Sequence, residues 1–223
     1  MPQTQTSRLI LALDVKDKEK AIKIAEDTAE FVHSIKVNYP IVLSCGLGVI
    51  EELSKIRPVI ADFKVADVPH IAAEVAKLAF DSGASAVIAH GFVGSDSIRA
   101  ILAEAGSENE VYVVTELSSE GGREFLMEHA IEIASMAKKL GCHGIIAPAT
   151  RPDRIKELKR AAEGLKVISP GVGAQGGKAS DAIRAGADYV IVGRSIYAAE
   201  NPRKAAERIY KEIEVVLKEL WRI

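Results

Sequence analysis

"RAGADYVIVGRS", residues 184–195, holds a helix end, a strand and a polar tip in twelve positions. Gly186 stands where a helix C-cap calls for a left-handed residue. "YVIVG" then runs apolar and β-branched without interruption, and Arg194 closes it. The run is too short for a typical helix and too continuously apolar for a strand with one wet face, so it predicts a parallel strand buried on both sides. The same join recurs at "DSGASAVIAH" (81–90) and "KLGCHGIIAP" (139–148), with Gly83 and Gly141 at the cap position.

Eight runs of this kind punctuate the chain: "RLILALD" (8–14), "SIKVNY" (34–39), "VIADFK" (59–64), "AVIAHG" (86–91), "VYVVTEL" (111–117), "GIIAPAT" (144–150), "KVISPG" (166–171) and "YVIVGRS" (189–195). Amphipathic segments separate them. The last, "PRKAAERIYKEIEVVLKEL" (202–220), places Ala206, Ile209, Ile213, Val216, Leu217 and Leu220 on one helical face, with Lys and Glu opposite. Pro202 suits the first helical turn. No linker or low-complexity segment breaks the alternation. Eight βα units in 223 residues predict an α/β fold, a single-domain (β/α)8 barrel over residues 1–223 whose residues 1–7 form a flexible polar N-terminus. A doubly wound open sheet is the alternative.

Composition narrows the function. With 48% hydrophobic residues in 223 the chain can bury one large core or form two small domains. Lys plus Arg number 29 against 31 Asp plus Glu, a net charge of −2, so no basic footprint for nucleic acid exists and any anion must be caught locally. Cys45 and Cys142 lack CxxC spacing, which argues against a disulfide framework or a zinc site and fits a reducing cytoplasm. No stretch approaches the roughly 20 apolar residues of a membrane span, and "MPQTQTSR" (1–8) is not signal-like, so a soluble protein is expected.

In a (β/α)8 barrel the working groups sit at the C-terminal ends of the strands. Nearly every run here ends in a polar residue: Asp14, Lys36, Asp62 with Lys64, His90, Thr115 with Glu116, Thr150, Ser169 and Arg194. Asp62 and Lys64, two apart on a strand, point to one face. Asp67 lies in the following loop, where it could fold back over the mouth or reach a neighbouring subunit. With Asp14 and Lys36 these residues form an alternating set of carboxylates and ammonium groups that offset one another's burial. A purely stabilising ion-pair network is the bland reading of that set. A Schiff-base lysine needs a depressed pKa, whereas a lysine between carboxylates is held protonated, which suits Lys64 to proton donation rather than attack. Two ammonium groups in the same space also compete with any Mg²⁺.

"SPGVGAQGG" (169–177) follows the seventh strand and "GRS" (193–195) closes the eighth. Loops after strands seven and eight are the usual phosphate site of this fold. Gly171, Gly173, Gly176 and Gly177 let backbone N–H groups approach an anion, Gln175 adds a neutral donor, and Arg194 can pair with phosphate in a bidentate manner.

"LALD", "IKVNYP", "DFKVADVP", "HGF", "TELS", "APATRP", "SPGVGAQGG" and "IVGRSIY", in this order and across the whole chain, resemble the orotidine 5'-monophosphate decarboxylase family, particularly its compact microbial form. The resemblance implies decarboxylation of orotidine 5'-monophosphate to uridine 5'-monophosphate, the last step of de novo UMP synthesis, with no cofactor and no metal. It implies Lys64 as the acid that protonates C6, and Asp62 beside the departing carboxylate in a charged network with Lys36. It implies a homodimer in which Asp67 serves the partner's site. Asp14 and Lys36 resemble the ribose-binding pair, and Ser118 the serine that contacts the pyrimidine and meets Gln175 on closure. Gln175, Gly193 and Arg194 match the phosphate grip, and Val172 lies on the closing loop.

Two positions depart from the family pattern. Ile71 replaces a common Thr that contacts the ribose, and "SEGG" (119–122) replaces a loop that often carries His and Pro before Gly. Metal-dependent relatives on the same fold, a keto-gulonate phosphate decarboxylase and a hexulose phosphate synthase, use a Glu at the end of the second strand to help hold Mg²⁺. Lys36 stands at that position here, which favours the cofactor-free reading. A phosphometabolite-binding barrel without catalysis is the rival from another class. His90 reads as a strand-end group near the ribose or a hydrogen-bonded structural histidine. His33, His70, His129 and His143 have no ligand-like spacing. Cys45, Cys142, Tyr197 and Trp221 read as packing residues.

Overall fold

The computed structural model describes residues 7–220. Each apolar run becomes a parallel strand: β1 (Leu9–Ala12), β2 (Ser34–Val37), β3 (Val59–Val65), β4 (Ala86–His90), β5 (Glu110–Val114), β6 (Gly144–Ile146), β7 (Lys166–Pro170) and β8 (Tyr189–Val192). β1 pairs with both β2 and β8, so the sheet closes into a barrel and the open alternative is excluded.

Helices connect the strands on the outside. α1 (Lys18–Thr28) follows β1, α2 (Tyr39–Cys45) and α3 (Gly48–Ser54) follow β2, and α4 (Pro69–Asp81) and α5 (Ser95–Ala105) follow β3 and β4. α6 (Leu126–Leu140), α7 (Pro152–Ala161) and α8 (Ala179–Arg184) come after β5, β6 and β7. The short α9 (Arg194–Tyr197) and the long α10 (Pro202–Leu220) complete the chain after β8.

The three cap glycines do what their positions require. Gly83, Gly141 and Gly186 have φ of 94°, 78° and 105°, and each turns a helix end into the next strand. α1 starts on Asp17, whose Oδ1 accepts the Lys20 N–H at 2.7 Å. α10 begins at Pro202 and buries Ala206, Ile209, Ile213 and Val216 as its periodicity requires. Leu220, assigned to that face, is instead 44% exposed because the helix runs past the core at its end.

Strand pleating divides the core in two. Ile10, Ala12, Ile60, Ala86, Ile88, Tyr112, Val114, Ile146, Ile168 and Ile191 point inward and fill the barrel. Their neighbours, such as Leu9, Leu11, Ile35, Val87 and Val190, point outward against the helices. At the N-terminal end of the barrel a polar plug closes the interior: Lys166 Nζ and the Tyr112 hydroxyl both donate to Glu110. His33 packs there against Tyr189, with ring centroids 4.6 Å apart. Burial, followed by the nearby charge of Lys166, lowers the pKa of His33.

Ser7, included in the expected flexible N-terminus, is buried. Its hydroxyl donates to the Phe31 carbonyl at 2.6 Å and accepts the Leu9 N–H. Residues 1–6 and Trp221 lie outside the described residues. Cys142 is buried, which pushes its thiol up to about 11, and it packs as a small apolar group. No helix among the described residues is long and apolar enough to cross a membrane.

Candidate active site

The inward-facing parity that fills the barrel also builds its mouth. Ala12 of β1 is in register with Lys36 of β2, and Lys36 with Ile60 of β3. Continuing each inward row one step brings Asp14, Lys36 and Asp62 together above the apolar core. Lys36 Nζ lies 2.9 Å from Asp62 Oδ2 and 3.7 Å from Asp14 Oδ1. Lys64 Nζ lies 2.9 Å from both Asp62 oxygens. The result is a line of alternating charge, Asp14, Lys36, Asp62, Lys64.

Asp62 and Lys36 are each only 5% exposed. Burial alone would raise the Asp62 pKa, but the charges and hydrogen bonds of Lys36 and Lys64 outweigh it and hold the carboxyl below its ordinary range. Asp14 lines the cavity, and its buried Oδ1 accepts no hydrogen bond among the described residues.

Lys64 reaches this line by a backbone irregularity. Its φ is +42°, the one positive value at a non-glycine residue among the described residues. The β3–β4 ladder passes from Ala61↔Val87 to Val65↔Ala89, so four steps of β3 span two of β4. Asp62 and Lys64 do meet on one side, as their spacing suggested. They do so within an irregular stretch of the strand, where the ladder is bulged and Lys64 is left-handed.

Asp67 stays apart. Its Oδ1 accepts the Val68 N–H at 2.7 Å, its carbonyl accepts from Ser97 Oγ at 2.8 Å, and the side chain does not line the cavity. His90 is also outside the cavity. Its ring packs at a tilt against Phe92, centroids 4.8 Å apart, beside a separate apolar groove with Leu117, Phe125 and Ile133, and burial, then Lys64, lowers its pKa. Thr115 and Ser169 have the outward parity and are fully buried, with Thr115 Oγ1 donating to the Ile146 carbonyl. Glu116 does face the cavity, but it is fully buried and gripped by Arg151 Nε at 2.7 Å and Arg154 Nε at 2.9 Å. It ties the loop after β5 to the start of α7.

The opposite wall is the glycine-rich loop. Gly173 N–H donates to the Gly177 carbonyl, Gly177 N–H to Gly171, and Gly176 N–H to Gly173, folding residues 171–177 into a tight hairpin-like turn. A Cβ on Gly173, whose φ is +77°, would stand 2.2 Å from Ser195 Oγ, so only glycine lets the loop sit on α9. A Cβ on Gly171 would press on Ser118 and Thr150 at 3.1 Å, which shows how closely this loop meets the one after β5. Val172 and Gln175 line the cavity from here, Ser118 from the β5 side, and Gly193 and Arg194 from β8. Arg194 has no carboxylate within ion-pair distance among the described residues, so its guanidinium is available to an anion.

The cavity measures about 260 Å³. Asn38 and Tyr197 line it as well, although the sequence reading assigned Asn38 no role and Tyr197 to packing. Asn38 had a legible signal, being two residues beyond Lys36 on the inward row. Tyr197 lies one helical turn after Arg194, and its phenol is raised by burial and by Asp14. Ile71 is 39% exposed near the start of α4, and its hydrocarbon offers no hydrogen bond to a ligand. "SEGG" enters a 3₁₀ turn at Glu120–Arg123.

Fold and site together define the class: a closed parallel (β/α)8 barrel of the enzyme type, with a charged cavity at the C-terminal ends of its strands. Within it the chain belongs to the orotidine 5'-phosphate decarboxylase / HUMPS family, whose profile matches residues 7–209. It is 55% identical over 213 residues to orotidine 5'-phosphate decarboxylase of Methanosarcina acetivorans, covering 94% of this chain and 96% of that protein. Identity to the enzyme of the same name from Thermococcus kodakarensis is 50% over 216 residues, 95% of this chain and all of that one. The crystal structure of orotidine 5'-monophosphate decarboxylase from Methanocaldococcus jannaschii complexed with the inhibitor BMP superposes with a TM-score of 0.89 at 45% identity, covering 94% and 99% of the two chains.

Proposed function

We propose that the protein decarboxylates orotidine 5'-monophosphate to uridine 5'-monophosphate, with Lys64 as the acid. The observation that carries this reading is the Asp14, Lys36, Asp62, Lys64 line at the bottom of a cavity whose far wall is a glycine-rich loop with an uncommitted arginine. In the reaction the bond from C6 to the carboxylate breaks, carbon dioxide leaves, and the electron pair stays on C6. The Lys64 ammonium stabilises that charge and then delivers its proton to C6. Charges fixed in a half-enclosed site need little reorganisation as the carbanion forms, which is where such a site gains most over water. Asp62 holds Lys64 and Lys36 in place and lies where the departing carboxylate would meet a like charge.

Asp14 and Lys36 bind the ribose, Ser118 the pyrimidine, and Gln175, Gly193 and Arg194 the phosphate, with Val172 on the loop that closes. Phosphate binding remote from C6 can drive closure, so that binding energy is used in the transition state. Replacing Arg194 with alanine should therefore raise KM by about a hundredfold or more, with a smaller effect on kcat, as a lost charge-assisted grip implies. A kcat loss at unchanged KM would contradict that role.

The metal-dependent alternative meets a specific obstacle. The Lys36 ammonium stands between Asp14 and Asp62, where a metal-dependent relative needs an anionic ligand. The test is the absorbance decay of orotidine 5'-monophosphate with and without Mg²⁺ and EDTA. Equal rates support the cofactor-free reading; loss of activity with EDTA overturns it.

Asp67 serves the site of a second copy in a homodimer. Its exposure and its place outside its own chain's cavity support this. A cytoplasmic place fits the free cysteines Cys45 and Cys142. Recovery of active protein in a secreted fraction would contradict it.

A further inference from the structure

The ammonium of Lys64 is fixed by Asp62, but its unusual backbone is fixed by something else. A side chain at φ +42° is in a region that costs about 1–2 kcal/mol, and such conformations persist only where the surroundings over-determine them. The carbonyl of Phe63 shares a rigid peptide plane with the Lys64 nitrogen. That carbonyl accepts a hydrogen bond from the hydroxyl of Tyr39. The Tyr39 ring also stacks on the Phe63 ring, with centroids 5.9 Å and planes 18° apart.

Tyr39 is itself well anchored. It opens α2 directly after Asn38, whose Oδ1 accepts the Tyr39 N–H at 2.6 Å. It follows the end of β2, the strand whose Lys36 holds Asp62. One strand end thus grips the acid twice, through its carboxylate partner and through its own peptide. Tyr39 does not line the cavity, so any influence it has on the reaction passes through Lys64.

We infer that Tyr39 is a positioning residue for Lys64: by anchoring the Phe63–Lys64 peptide plane it holds the left-handed turn that points the ammonium into the cavity. This rests on the role of Lys64 proposed above.

The test uses the whole enzyme carrying Tyr39→Phe, which keeps the ring and its stacking and removes only the hydroxyl. kcat should fall about tenfold while KM stays within about twofold, the scale of one lost positioning hydrogen bond. Tyr39→Leu, which also removes the stacking, should lower kcat further. Unchanged kcat in Tyr39→Phe, or a rise in KM as large as the fall in kcat, overturns the inference. If Tyr39→Leu does not fold, the phenylalanine variant decides alone. Lys64→Ala separates the two levels: an inactive Lys64→Ala with a fully active Tyr39→Phe defeats only this inference, whereas an active Lys64→Ala defeats the acid assignment and this inference together.

Discussion

Replacing Lys64 with alanine is expected to lower kcat by at least about ten-thousand-fold while the barrel stays folded, because one group supplies both the proton and the nearest positive charge to the developing carbanion. Folding survives because the Lys64 side chain is 32% exposed, unlike those of Lys36 and Asp62, and Asp62 keeps Lys36 at 2.9 Å. Absorbance decay measures the first part and thermal unfolding the second. Near-normal turnover in a folded variant would remove Lys64 from the mechanism. The same variant tests the dimer. Mixed with an Asp67→Asn chain and allowed to exchange subunits, it should recover about a quarter of wild-type activity, since half the dimers then carry one intact site. No recovery from two inactive parents would place Asp67 in its own chain's site or outside the chemistry.

Asp62→Ala is the second large effect, and it acts on stability as well as rate. The alanine leaves Lys36 and Lys64 facing each other with no anion between them, in a place where Lys36 is 5% exposed. Removing one partner of a buried ion network costs about 3–5 kcal/mol, because the remaining ammonium groups lose their nearest counter-ion. Turnover should fall with it, since nothing then holds the Lys64 ammonium. Proton linkage provides a check on the cause. The native Asp62 carboxyl is held below its ordinary range, so its contribution is complete above the usual carboxylate pKa of about 3.9 and fades as pH falls through the lower native value. Denaturant unfolding at pH 7 should show the full gap between wild type and variant, and unfolding below pH 4 a narrowing one. A gap that is the same at both pH values would mean that Asp62 stabilises by packing and not by charge.

The departures from the sequence reading share a physical pattern. Glu116 and Thr115 were read together as mouth residues, yet pleating sends one inward and the other outward, and the inward one is bound by Arg151 and Arg154 from a different loop. His90 ends its strand on the inward row, but its ring turns aside onto Phe92. Tyr197 reads as a packing residue in the sequence, but the turn of α9 that starts at Arg194 brings it to the cavity wall. For Glu116 and Thr115 the deciding contacts come from residues distant in sequence, whereas His90 turns onto a near neighbour in the next turn.

The amino-acid sequence by itself determined the eight strands, the glycine-capped joins between them, the closed barrel as the expected fold, and which end of it carries the charges. Those features depend on local period and local φ preference, which a short stretch such as residues 184–195 states in full. Only the tertiary structure decided how Asp62 and Lys64 come to face one another. They meet within a bulge of β3, with a left-handed turn at Lys64 and the preceding carbonyl accepting from Tyr39 of the neighbouring strand end. A strained backbone of that kind has no signature in its own residue types, because the contacts that sustain it are made only after the strands have paired.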